Sequence, residues 1–160
     1  MTRLVVIAWG NPSRGDDALG PEFLRGAQAL LAPAGHDIEY VTDFQLQPEH
    51  ATDLVGRDLA LFVDASVRAA APFVFEAVAP ARDRTFTTHA MSPAALLATY
   101  REAFAHAPPS AFLLAIRGER FELGEPANAA ARENLRRALV FYERLLADLT
   151  VAAWASHLDR

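Results

Sequence analysis

The sequence contains no cysteine. Thiol nucleophiles, CxxC redox chemistry, disulfides and thiolate metal sites are therefore excluded. It contains no lysine either, since all 15 basic residues are arginine. That removes Schiff-base catalysis and the lysine of a Walker A phosphate loop. The arginines are scattered, and with a formal charge of -5 they form no basic stripe, so no nucleic-acid partner is expected. Charge or proline breaks every apolar stretch well short of the roughly 18 residues a membrane span requires. The opening "MTRLVVIAWGN" is too short for a signal peptide, so a cytoplasmic protein without a membrane partner is expected. No repeat, linker or low-complexity segment is present.

What is there is an apolar fraction of 52% in 160 residues, enough for one domain with a real core. That domain is expected to span 1–160, with 151–160 either extending the last helix or fraying as a tail. "RLVVIAWG" (3–10) is an apolar run ending at glycine, as in a strand buried on both faces of a parallel sheet. Phe23, Leu24, Ala27, Leu30 and Leu31 follow at helical spacing, with Pro21 suited to a first turn. Residues 37–44 read as a second strand, 48–56 as a short helix and 58–66 as a third strand. "APFVFEAVAP" (71–80) comes too soon after the third strand for a parallel crossover and is expected to run antiparallel. Ser92-Pro93 opens a helix as N-cap and first position, residues 110–118 form a fifth strand, and a final helix is expected over about 126–149. This alternation predicts an α/β three-layer sandwich with a mostly parallel sheet between helices.

In such folds chemistry sits beyond the carboxyl ends of the strands, near a switch in strand order. Those positions hold Asn11, Asp16 and Asp17 after the first strand, Asp64 closing the third, and His89 in "TTHAMSP" before a helix start. Two carboxylates and a histidine suit a borderline divalent cation, and three protein ligands leave positions open for substrate or water. The first loop, "GNPSRGDDALGP", has glycines at 10, 15 and 20 but neither GxGxxG nor GxxxxGK[ST], and its two aspartates would repel a pyrophosphate. It reads better as a loop that presents a carboxylate to a cation.

Plainer readings exist for each residue. Strand-end aspartates often cap turns, and Asp16-Asp17 would also suit the first turn of a helix. His36, His50, His106 and His157 read as surface or packing residues, His50 being set apart because "FQLQPEH" also follows a strand. Ser13, Ser66 and Ser92 lie near the inferred site without a GxSxG elbow, and Ser92 is already explained as a cap. Other functional classes remain open: a flavodoxin-like nucleotide- or flavin-binding module, and a general amidase carrying its own zinc.

With these positions in view, "GNPSRGDDALGP", "LFVDAS" and "THAMSPAALL" resemble, in order and spacing over most of 3–149, the hydrogenase maturation endopeptidases. That family trims the carboxyl-terminal extension from the large-subunit precursor of nickel-iron hydrogenases. The resemblance implies a twisted, mostly parallel five-stranded sheet with one antiparallel strand. It also implies that Asp17, Asp64 and His89 are both the metal ligands and the catalytic residues. Nickel is then supplied by the precursor, with zinc or cadmium as other occupants, and the enzyme is expected to be a monomer. Where many relatives carry a glycine-rich segment after the second strand, this chain has "TDFQLQPEH", closer to the branch serving soluble, NAD-reducing hydrogenases. Gln45, Glu49 and His50 are expected to shape the partner-binding surface.

Overall fold

The computed structural model describes residues 1–83 and 91–159. The first strand is β1 (Arg3–Trp9). Successive side chains of a strand point to opposite faces, so Leu4, Val6 and Ala8 enter one core while Val5, Ile7 and Trp9 enter another. All six are 6% exposed or less, which accounts for an apolar run with no polar alternation. β2 (Asp37–Asp43) and β3 (Leu59–Ser66) flank β1 in parallel, and β5 (Ser110–Arg117) lies parallel to β3. β4 (Phe73–Val78) closes the sheet antiparallel to β5, giving the order β2-β1-β3-β5-β4. The antiparallel direction expected for β4 holds. Its neighbour is β5 and not the preceding strand β3, because β5 inserts between the two.

Helices α1 (Leu19–Gln28), α3 (Ala129–Leu146) and α4 (Val151–Ala155) fill the face of Leu4 and Val6. α2 (Pro93–Phe104) and a 3-10 segment, Pro48–Leu54, cover the face of Val5 and Ile7. The sheet thus separates two cores in a three-layer α/β sandwich. Among the described residues no helix is long and apolar enough to cross a membrane.

Three boundaries differ from the sequence expectation. α1 stops at Gln28, where the amides of Ala29 and Leu30 turn to carbonyls three residues back, and Leu31 is left 96% exposed. α3 starts at Ala129 and not near Pro126, because the Asn128 side chain accepts the Ala131 amide at 2.8 Å and caps it. Residues 151–159 form a separate packed segment after α3. Thr150 caps α4 through the Ala153 amide, and Trp154 is completely buried beside Phe75 and Phe112, its Nε1 donating to the Leu145 carbonyl at 3.1 Å. Asp159 then accepts the Phe75 amide at 2.6 Å and donates its own amide to the Phe75 carbonyl, covering part of the sheet edge at β4.

Candidate functional site

β1 has β2 on one side and β3 on the other, so the strand order switches at β1 and opens a crevice beyond the carboxyl ends of β1 and β3. Two sequence-predicted residues meet there. Asp64 lies near the end of β3, and Asp17 lies on a 3-10 turn, Gly15–Ala18, that follows β1. The charge of Asp17 is close enough to raise the pKa of Asp64.

The glycines explain how the loop folds back so tightly. Gly10 adopts φ +147, and a Cβ there would sit 2.0 Å from the Asp17 carbonyl and 3.3 Å from its Oδ1. Only glycine lets the chain return onto the end of β1 in this way. Asn11 then donates its amide to Asp17 Oδ2 at 2.7 Å, which fixes the carboxylate while Oδ1 has no donor among the described residues. Gly15, at φ +56, brings the loop against the Arg120 carbonyl, where a Cβ would stand 2.4 Å away.

Asp16 and Asp17 have different surroundings. Asp16 is fully buried and accepts four hydrogen bonds: from the amides of Glu119 (2.6 Å), Arg120 (2.9 Å) and Asn128 (2.8 Å), and from Asn128 Nδ2 (3.0 Å). Its charge is spent on tying the first loop to the β5–α3 connection. Asp17 is half-buried and keeps an oxygen free. Local composition does not distinguish the two, because the partners of Asp16 lie more than a hundred positions away, and the family resemblance alone singles out Asp17.

Asp64 is buried enough for desolvation to push its carboxyl up to about 7, with the Asp17 charge adding to the rise and the Ala65 amide, donating to Oδ1 at 2.8 Å, opposing it. Two neighbouring carboxyl groups, one of them kept from ionising chiefly by burial, form a site that a divalent cation would relieve, and oxygen donors suit such an ion. His89 lies outside the described residues. Among the described residues no group of three histidine, cysteine, aspartate or glutamate side chains comes together for a metal.

The other candidates resolve into structural parts. Ser92 caps α2 by accepting the Ala95 amide at 3.1 Å, and Ser66 Oγ accepts the Arg68 amide in the turn after β3. His36 accepts the Thr2 amide, His106 packs on Tyr100, and His157 packs on Phe141. His50 is 6% exposed; its Nδ1 accepts the Gln47 amide at 2.8 Å and its Nε2 stands 3.3 Å from Asp43 Oδ2. The Asp43 carbonyl in turn accepts the Gly10 amide at 3.1 Å, so the pair braces the first loop. Gln45, Glu49 and Phe44 stand exposed around it.

Solved structures share this architecture. The NiFe hydrogenase maturation protease HycI from Thermococcus kodakarensis KOD1 aligns with a TM-score of 0.70 at 20% identity, over 92% of this chain and 94% of its own. The hydrogenase maturating endopeptidase HybD from E. coli aligns with a TM-score of 0.69 at 20% identity, over 91% and 92%. The endopeptidase HycI from Escherichia coli gives 0.66 at 20% identity over 91% of each chain. No family model matches the sequence, and no curated protein does. At this identity the likeness shows a common fold.

Proposed function

We infer, with that shared fold as premise, that this chain is a hydrogenase maturation endopeptidase: a peptide hydrolase that removes the carboxyl-terminal extension of a nickel-loaded NiFe hydrogenase large-subunit precursor. The observation that carries the reading is the meeting of Asp17 and Asp64 at the switch point, where one carboxyl is held near pKa 7 by burial and by its neighbour's charge. Several solved structures of the same fold are maturation proteases by name.

In this reading the nickel is part of the substrate. A precursor that carries the ion presents it to Asp17, Asp64 and His89; an empty precursor lacks the charge that draws the two carboxylates in. Asp64 releases its proton as the cation arrives, since the positive charge offsets both desolvation and the repulsion from Asp17. In a docked precursor the ion would be held by Asp17, Asp64 and His89 near the bond to be cut, and a divalent cation there would supply a recognition element or a Lewis acid. The contribution of this chain is to hold the two carboxylates at fixed positions, Asp17 through the Asn11 amide and Asp64 through that of Ala65.

The test is incubation with hydrogenase large-subunit precursor, with and without nickel, followed by mass spectrometry. Loss of a short carboxyl-terminal peptide only from the nickel-loaded precursor is the expected result. Asp17→Asn, Asp64→Asn and His89→Ala each abolish trimming while circular dichroism stays unchanged; full processing by all three variants defeats the reading.

A further inference from the structure

Among the described residues, the sheet face that carries Asp64 is covered only in part. α2 shares a core with Ala60, Phe62 and Ala111 through Leu96, Leu97 and Tyr100. Beyond that core lies a cleft of about 290 Å³ whose lining among the described residues includes Asp64, Arg68, Glu76 and Leu113. A second cleft, of about 280 Å³, is lined by Glu76, Leu113, Val78 and the first turn of α2. The two share Glu76 and Leu113, so together they form one groove that starts at the candidate site. In the β4–β5 register the groove runs from the pair Val74 and Ala115 to the pair Val78 and Ala111. At about 3.3 Å per residue, that is room for roughly four residues of extended polypeptide.

The groove has an apolar floor and an asymmetric charge pattern. Glu76 sits at its middle, exposed, with no hydrogen-bond or ion-pair partner among the described residues. Arg68 sits at the Asp64 end, likewise without a side-chain partner there. Apolar walls keep water from one side of a charge, so an opposite charge brought there gains more than on an open surface.

We propose that this groove seats the substrate polypeptide next to the bond that is cut, and that Glu76 selects an arginine or lysine about two residues from that bond. The proposal rests on the peptidase reading above. The spacing follows from the register: Val74 and Ala115 lie level with Asp64, and Glu76 is two residues further along β4. Arg68 repels the same basic side chain from the Asp64 end and so fixes the register of the bound chain. The plainer role for Glu76, a charge that keeps foreign strands off an edge strand, predicts no selectivity for peptide charge.

Two capped peptides, acetyl-Ala-Ala-Arg-Ala-amide and its Glu counterpart, are titrated into the 15N-labelled protein. The arginine peptide is expected to move the amide signals of Val74, Glu76 and Leu113, and Glu76→Gln weakens it about fivefold. In trimming of nickel-loaded precursor, Glu76→Arg raises KM about tenfold with little change in kcat, and replacing the basic residue near the cut by glutamate restores it. Equal responses to both peptides, shifts confined to other surfaces, or an unchanged KM in a Glu76→Arg enzyme that trims normally overturn the proposal. Selective binding of the arginine peptide by a protein that trims no precursor leaves the groove standing and removes the peptidase reading instead.

Discussion

Asp16 and Asp17 are chemically the same residue and do different work because of what surrounds them. Removing the Asp16 carboxylate leaves three backbone amides and the Asn128 side-chain amide without their acceptor in a buried place. Asp16→Ala is therefore expected to cost about 3–5 kcal/mol, visible as a lowered urea midpoint. Asp17→Ala loses one hydrogen bond from Asn11 and should cost no more than about 1 kcal/mol while ending activity. Asp64 gives a second residue-scale prediction. Its carboxyl sits near 7 in the folded chain against 3.8 as its ordinary value, so between those pH values the folded protein keeps a proton that the unfolded one has released. Rising pH then favours unfolding, from about pH 4 until the loss is complete just above pH 7. Asp64→Asn lacks this titration. In chelator, its stability relative to wild type should rise by about 3 kcal/mol between pH 5 and pH 8. A difference that stays flat with pH would show that Asp64 ionises freely in the fold.

At the scale of elements, the sequence made local things visible. The doubly buried strands β1 and β3 announce themselves as unbroken apolar runs, and Ser92-Pro93 marks the start of α2 through its own side chain and ring. What it did not display was anything decided by distant partners. The anchoring of Asn128 to Asp16 across more than a hundred positions is one such thing, and the lateral place of β4, which depends on which strand β5 joins, is another. The short segment after Leu149 is too brief for periodicity to register, yet Trp154 anchors it among Phe75, Phe112 and the Leu145 carbonyl. That anchoring has a measurable size. Trp154→Ala opens a large cavity in the core on that face and frees the tail from β4, so a loss of about 3–5 kcal/mol and a clearly lower Tm are expected, with trimming by the remaining folded fraction unchanged. That Asp17 follows β1 and Asp64 lies near the end of β3 was legible because the apolar strands themselves are legible; the groove at Glu76 was not, since which part of a sheet face a helix leaves bare is written in no single segment.

For the molecule as a whole, the two cores are joined through one sheet. β1 gives Leu4, Val6 and Ala8 to one core and Val5, Ile7 and Trp9 to the other, and β3 divides Leu61 and Val63 from Ala60 and Phe62 in the same way. Neither core can dissolve without stripping one face from the strands that carry Asp17 and Asp64 to the crevice. Unfolding should thus be a single cooperative event, and the site should vanish with it. The chain supplies its own reporters, because Trp9 belongs to one core and Trp154 to the other, both at most 6% exposed. In Trp154→Phe the remaining fluorescence follows the Trp9 core; in Trp9→Phe it follows the Trp154 core. For each variant the fluorescence midpoint in urea should coincide with its own far-ultraviolet circular dichroism midpoint and with the loss of precursor trimming. A fluorescence transition that precedes circular dichroism in one variant only would mean that its core opens alone, and that the strands presenting the two carboxylates are held by the other core by itself.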